Sequence, residues 1–285
     1  MRGLLLCVLA PALAAEMKID VEFASRGDVS LRLDASIPEG AGPFPAAIWV
    51  HGGGFVSGDK QPYPLSILQP LADAGYAWFS VNYRLAPQYP FPAQTDDVES
   101  AVEYIRIHAS QFKVDPERLV LIGASAGGHL VSFVGAHHRE RNRVAAVISF
   151  FGEHDLVDRV HPKGACMVDG KVIPNPGPMC LSPGLEKFLG ITAQSPGAEE
   201  VIRKASPATY VTKDMPAYLL IHGTKDFNVP FEQSERMLAA MRAAGARCEL
   251  IRVEGGGHGF GPWNQDLKMA RYREQMLEWL KKVIR

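Results

Sequence analysis

Cysteine is scarce in this chain, with four among 285 residues. None of the four stands in a Cys-x-x-Cys or comparable spacing, which argues against a cysteine-built zinc site. An excess of charge of either sign is also missing: 30 Lys and Arg against 31 Asp and Glu leave a formal net charge of −1. Such a balance supplies no polybasic field for nucleic acid or for an anionic membrane. Beyond the N-terminus, no run approaches the roughly 18 apolar residues that a membrane span requires. No internal repeat and no linker is visible. The 47% hydrophobic content is ample for a buried sheet in a single large α/β domain.

The first residues carry Arg2, an apolar run and then Ala12-Leu13-Ala14, the small-x-small pattern of a signal peptidase site. Residues 1–15 therefore read as a signal peptide, with the mature chain starting near Ala15 or Glu16 and a periplasmic or secreted location expected. A buried N-terminal strand or helix is the competing reading. Cys7 lies in that leader. Of the remaining three cysteines, Cys166 and Cys180 bracket a stretch rich in Pro and Gly. In an oxidising compartment a disulfide there would remove roughly 3 kcal/mol of unfolded-chain entropy. Cys248, inside the strand-like Cys-Glu-Leu-Ile-Arg-Val, reads as a small core residue.

Polar and apolar residues alternate over Lys18 to Phe23 and Val29 to Ile37, around Arg26-Gly27-Asp28, which predicts an antiparallel hairpin with one solvated face. The pattern then changes. Ala46 to Val50, Ala77 to Val81, Leu119 to Gly123, Ala145 to Ser149, Ala217 to His222 and Cys248 to Val253 are short apolar runs typical of strands buried on both faces. Helical periodicity separates them: one helix from Asp96 with Glu99 as its capping-box partner, others over Ser125 to Val134, Phe231 to Ala244 and Leu267 to Val283. The result is a doubly wound, mostly parallel sheet. Between about residues 151 and 216 the alternation is lost. An insertion there falls above the C-terminal edge of the sheet, so it reads as a short cap, with Leu185, Phe188, Leu189 and Ile191 too apolar for a solvated loop.

The chemistry-bearing residues sit where those strands end. Leu119 to Gly123 stops at Gly123-Ala-Ser125-Ala-Gly127, the Gly-x-Ser-x-Gly pattern that lifts a serine hydroxyl above a sheet. His51-Gly-Gly-Gly-Phe55 follows Ala46 to Val50, so the bare N–H groups of Gly53 and Gly54, with that of Ala126, can hold an oxyanion. Asp226 lies just past Leu219 to His222, and His258 just past the next strand. Asp155, which also follows a strand, is the rival acid. His51 reads as a brace for the oxyanion loop, His129 as packed below the serine, and His108, His137 and His138 as surface residues. Asp59 and Arg84 are expected to brace loops. Phe55, Phe151, Phe227 and Trp263 flank the motifs and are the candidate substrate-binding aromatics.

With the order Ser125, Asp226, His258, the sequence resembles the α/β-hydrolase superfamily, and more closely the esterases related to hormone-sensitive lipase and the bacterial feruloyl and acetylxylan esterases. Asn82-Tyr-Arg-Leu-Ala-Pro87, Gly123 to Leu130, His222-Gly-Thr-Lys-Asp226 and Gly257-His-Gly-Phe260 carry the likeness over the mature chain, residues 16–285. The resemblance implies a serine carboxylesterase that needs neither metal nor organic cofactor. Its substrate would be a small-molecule or polysaccharide-linked ester, with feruloyl or acetyl groups on plant cell-wall polysaccharide as the leading class. An arylformamidase-like amide hydrolase shares the His-Gly-Gly and Gly-x-Ser-Ala-Gly-Gly-His patterns. A general short-chain carboxylesterase and an inactive binding domain of the same fold also compete with that assignment.

Overall fold

The computed structural model describes residues 15–161, 165–168, 171–174 and 179–284. The leader expected over residues 1–15 lies outside the described residues, Ala15 apart. The described chain opens with strands β1 (Ala15–Arg26) and β2 (Val29–Pro38), paired antiparallel through a turn at Gly27. There follow β3 (Phe44–Val50), α1 (Leu65–Asp73), β4 (Ala77–Val81), α2 (Ala93–Ile107), β5 (Val114–Ala124), α3 (Ala126–Ala136) and β6 (Ala146–Phe150). The insertion holds α4 (Leu156–Val160), a small hairpin of β7 (Ala165–Val168) and β8 (Lys171–Pro174), α5 (Pro183–Leu189) and α6 (Ala198–Ala205). β9 (Ala217–Gly223), α7 (Glu232–Ala243), β10 (Cys248–Val253), α8 (Phe260–Gln265) and α9 (Tyr272–Val283) complete the fold.

Eight of these strands form one sheet in the order β1-β2-β4-β3-β5-β6-β9-β10. The six from β4 to β10 in that order run parallel, with the N-terminal hairpin added antiparallel at one edge. Each central strand feeds two cores because successive side chains point to opposite faces. On β3, Ala46, Ile48 and Val50 join Val98, Val102, Ile105, Leu130 and Val134 of α2 and α3. Ala47 and Trp49 face the other way, toward Ile67, Leu68, Met276 and Trp279 of α1 and α9.

Two boundaries differ from the pattern-based reading. Helix α2 starts at Ala93, behind Pro92, and neither Asp96 nor Glu99 caps it. A proline just ahead of a first turn loses no hydrogen bond there, so the helix begins one turn early and Asp96 becomes an acid within that turn. At the C-terminus the expected helix from Leu267 is a 3-10 turn followed by α9, because Asp266 accepts the N–H groups of Lys268 and Met269 and closes a local turn instead. Leu267 is left 90% exposed. Cys248 is a buried free thiol, pushed up to about 12 by that burial. Cys180 is disulfide-bonded, while the side chain of Cys166, its expected partner, lies outside the described residues.

The insertion is pinned to the sheet by its own apolar face. Ser182 caps α5 by accepting from the Leu185 N–H at 3.2 Å, Pro183 occupies the first turn, and Gly190 ends the helix at φ 68°. That helix buries Leu185, Phe188 and Leu189, and Phe188 stacks on Phe55 with ring centroids 3.8 Å apart.

Where β5 meets α3, the backbone is packed too tightly for side chains. A Cβ on Gly123 would collide with the Gly127 carbonyl, and one on Gly127 with the carbonyl oxygens of Val50 and His51. Gly127→Ala is expected to lower stability by about 1–3 kcal/mol, the usual penalty for overpacking. Gly261→Ala, where an added Cβ meets nothing within 4 Å, should stay within about 0.5 kcal/mol. Thermal unfolding of both variants checks this, and equal melting temperatures would contradict it.

Candidate active site

β3 and β5 lie side by side, yet the chain leaves β3 toward β4 and leaves β5 toward β6 on the opposite side. That reversal opens a crevice beyond their C-terminal ends, the place where α/β sheets bind ligands. β3 runs directly into His51-Gly-Gly-Gly54, and β5 into Ser125. The loops after β9 and β10 supply Asp226 and His258. All but Asp226 line one cleft of about 790 Å³.

Ser125 sits at φ 55° and ψ −121°, a conformation that L-residues rarely adopt and that persists only where surroundings enforce it. Its N–H donates to the Phe150 carbonyl at 2.9 Å, while its carbonyl accepts from His129 N at 3.0 Å. The hydroxyl thus projects into the cleft and lies 2.9 Å from His258 Nε2, with His258 Nδ1 2.7 Å from Asp226 Oδ2. In this arrangement the serine O–H donates to Nε2 and the Nδ1–H donates to the carboxylate.

Asp226 is buried, and burial alone would raise its pKa. Hydrogen bonds from His222, His258 and the Val229 N–H reverse that and hold the carboxyl well below the usual carboxylate range. Its Oδ1 accepts from the N–H groups of Asn228 and Val229, both at 2.9 Å. His222 is the partner that motif reading passed over. Fully buried on β9, it places Nε2 3.3 Å from Asp226 Oδ2 and 3.0 Å from the Val229 carbonyl. The carbonyl can only accept, so Nε2 carries the proton, and Ser234 of α7 donates to Nδ1 at 2.8 Å. The signal was present in His222-Gly-Thr-Lys-Asp226, a histidine at the end of a buried strand four residues before the acid.

Across the cleft, Gly53 and Gly54 adopt φ 117° and 60°, and Phe55 follows at 67°. This left-handed path turns the bare loop toward Ser125. Among the described residues, the N–H groups of Gly53, Gly54 and Ala126 have no internal acceptor, and that of Ala126 begins α3, where the helix dipole adds partial positive charge. His51 braces this loop. Its Nδ1–H donates to the Gly52 carbonyl at 2.7 Å, its ring stacks on Tyr83 at 4.2 Å, and the Tyr83 hydroxyl donates back to the His51 carbonyl at 3.1 Å. Burial pushes its pKa down, which favours the neutral ring.

The remaining candidates separate clearly. Asp155 caps α4, accepting from Asp158 N at 3.1 Å, and does not touch His258. Arg84 forks onto Asp97 with both contacts at 2.8 Å, and Asp59 accepts from Lys60 N at 2.7 Å. His108 and His137 are half-buried, each bonded to the carbonyl four residues back, rather than open surface residues. Phe55 and Phe151 line the cleft, Phe151 with its ring 4.8 Å from that of His258. Phe227 and Trp263 do not. The turn closed by Asp226 on Asn228 and Val229 throws Phe227 outward, 66% exposed, and puts Asn228 and Val229 on the cleft instead. Trp263 is fully buried, donating its indole N–H to the Gly257 carbonyl at 3.0 Å and meeting Phe151 edge-on, so it supports the His258 loop from behind. Trp49, Glu153 and Arg159 are cleft residues that the motifs did not single out, and Phe260 of the Gly257-to-Phe260 motif lines the cleft beside them.

A serine on an enforced strand-to-helix turn, an acid and a histidine from the loops after β9 and β10, and, in the same cleft, backbone N–H groups unpaired among the described residues are the arrangement of an α/β-hydrolase fold. The chain belongs to the BD-FAE family, whose family model matches residues 33–241. It is 30% identical over 230 residues to esterase LipC of Mycobacterium tuberculosis, a match covering 76% of this chain and 53% of LipC. Isoprenylcysteine alpha-carbonyl methylesterase ICME of Arabidopsis thaliana is 25% identical over 242 residues, covering 80% of this chain and 53% of that protein. The chain thus spans about half the length of these curated relatives. Among solved structures, a truncated carbohydrate esterase from gut microbiota superposes with a TM-score of 0.74 at 26% identity, covering 96% of this chain and 98% of that one. The acetyl ester-xyloside bifunctional hydrolase of Caldicellulosiruptor lactoaceticus, 22% identical with a TM-score of 0.75 over 93% of this chain and 96% of its own, shares the fold.

Asp226→Asn is expected to lower turnover by about 10⁴, because an amide stabilises the wrong tautomer of His258, whereas Asp155→Asn should cost less than about tenfold. Steady-state kinetics on one chromogenic ester check both, and a reversed ranking would move the acid to Asp155. A second outcome concerns acid stability. Beneath the elbow, burial lowers His129 to about 4 from its ordinary 6.5, and it holds His154 well below 6.5 as well. Both are therefore neutral when folded, while the unfolded chain gains protons below 6.5. Stability that is intact above that pH is lost as pH falls toward 4, at roughly 1 kcal/mol per unit for each histidine. Urea unfolding should show a loss of about 2 kcal/mol or more between pH 6.5 and 5, and a flat profile would contradict it.

Proposed function

We propose that this chain is a serine carboxylesterase that hydrolyses short acyl or hydroxycinnamoyl esters, with feruloyl or acetyl groups on plant cell-wall polysaccharide as its substrates. The observation that carries this reading is the hydrogen-bonded line from Asp226 through His258 to Ser125, set in one cleft with the open N–H groups of Gly53, Gly54 and Ala126. The hydroxyl of Ser125 attacks the ester carbonyl while His258 Nε2 takes its proton, and Asp226 stabilises the imidazolium so formed. The backbone donors hold the oxyanion, each worth about 3 kcal/mol in the transition state. Collapse breaks the ester bond, and His258 returns the proton to the departing alcohol. Water repeats the sequence on the acyl-serine, releasing the acid.

The compact cleft, walled by Trp49, Phe151 and Phe260, suits a short or planar acyl group. A carbohydrate esterase matching nearly the whole chain supports a sugar-borne ester. The export expected from residues 1–15 fits a polymer that does not enter cells, and an oxidising compartment suits a Cys166–Cys180 bridge.

Specificity constants for nitrophenyl esters of increasing chain length, methyl ferulate, acetylated xylan, a long-chain triglyceride and formylkynurenine test the proposal. Acetyl or feruloyl esters should exceed long-chain esters by at least about tenfold, since a short pocket cannot bury the extra methylenes. A maximum at long-chain esters or at formylkynurenine would overturn the cell-wall reading.

A further inference from the structure

Just past β6 the chain turns at Phe151, a non-glycine residue at φ 39°, and places Glu153 on the wall of the catalytic cleft. Its backbone is fixed, because the buried His129 donates Nδ1–H to the Glu153 carbonyl at 2.8 Å. Its side chain is fixed as well. Oε1 accepts from Arg159 Nε at 3.1 Å, and the same guanidinium donates to the Asn228 carbonyl at 3.0 Å, tying the pair to the loop of the triad acid. The two side chains are only 11% and 9% exposed, and both line the cleft beside Ser125 and His258. The second oxygen of the carboxylate, Oε2, has no donor among the described residues and is not sealed from solvent. A nearly buried carboxylate on the wall of a reactive cleft, with one oxygen spent on an arginine and the other unpaired among the described residues, is an acceptor held ready for a donor.

From this geometry we infer that Glu153, oriented by Arg159, is a specificity residue that accepts a hydrogen bond from a hydroxyl of the substrate remote from the scissile ester. The inference rests on the esterase reading of Ser125 and names what that site recognises. Arginine already neutralises the carboxylate, so a neutral O–H donor suits Oε2 better than a second cation. An anionic substrate group would be repelled. Trp49 and Phe260 give the cleft an apolar wall for a flat ring, and two kinds of ring present such a hydroxyl: a sugar on the alcohol side and a phenol on the acyl side. A substrate lacking the hydroxyl leaves a buried acceptor unpaired, which is how polar sites discriminate strongly between near-isosteres.

The test uses two matched ester pairs on the full chain: methyl 4-hydroxycinnamate against methyl cinnamate, and a xylose acetate against cyclohexyl acetate. Glu153→Gln keeps an oxygen for Arg159 but turns the open acceptor into an amide donor. The parent should prefer the hydroxylated member of one pair, and Glu153→Gln should reduce that kcat/KM ratio by about tenfold to a hundredfold, as for a hydrogen bond to a charged group. Because each ratio is taken within one preparation, loss of folded enzyme cancels. Glu153→Asp, which keeps the charge and shortens the reach, covers the case in which the glutamine variant does not fold, and should lower the ratio too. A drop in the cinnamate pair assigns the hydroxyl to a phenol, and a drop in the acetate pair assigns it to a sugar. An unchanged ratio in both pairs, or a parent with no preference in either, overturns the inference. Failure of the parent to cleave even 4-nitrophenyl acetate would instead overturn the esterase reading beneath it.

Discussion

The catalytic geometry depends on a contact between backbones. At the end of β5 the first turn of α3 lies so close to β3 that positions 123 and 127 have no room for a Cβ. Relaxing that contact by a side chain would push the helix off the sheet. With it in place, Ser125 is held at positive φ, its hydroxyl lies in the cleft 2.9 Å from His258 Nε2, and the N–H of Ala126 stands at the start of α3 beside it. The glycines act through what they allow to touch, and the strained serine is the consequence. Its cost, on the order of 1–3 kcal/mol for such a backbone, is borne by the fully buried strands on either side, Leu119 to Ile122 and Val147 to Ile148.

A polar scaffold is built around that contact. Asp226 collects donors from two histidines and two backbone N–H groups, so its charge is fixed in place before any substrate arrives. His222, itself held by Ser234, belongs to that scaffold and not to the reacting line. On the far side, His51 and Tyr83 brace the oxyanion loop, while Phe188 of α5 stacks against Phe55 and so couples the insertion to it. Preorganised dipoles of this kind are what stabilise a developing oxyanion without reorganisation at the moment of reaction.

Much of this was legible in the residues. Short apolar runs located the six parallel strands, five of them because a strand buried on both faces leaves little room for polar side chains, whereas β10 proved to be an edge strand with Glu249 and Arg252 exposed, and glycine spacing marked the elbow. Phe227 and Trp263 show where such reading stops. Both flank catalytic residues in sequence, but a turn closed by the Asp226 carboxylate sends the first outward, and helix α8 folds the second behind Gly257. Glu153 and Arg159 were hidden for a related reason: their roles come from contacts between segments distant in the chain, such as Arg159 to Asn228, whereas His222 stood within the His222-to-Asp226 motif and only its bond to Asp226 went unread. Asp96 misled locally, since a capping pattern is outweighed by the proline preceding it.

The central claim is that Ser125 alone carries nucleophilic character, through His258 and Asp226. Reaction with an aryl organophosphonate, followed by intact mass and peptide mapping, tests it most directly. The account predicts one adduct per chain, on Ser125, formed at a rate that falls steeply when His258 is replaced by a residue without an imidazole. An adduct on another residue, or labelling of Ser125 that is indifferent to removal of the His258 imidazole, would contradict it.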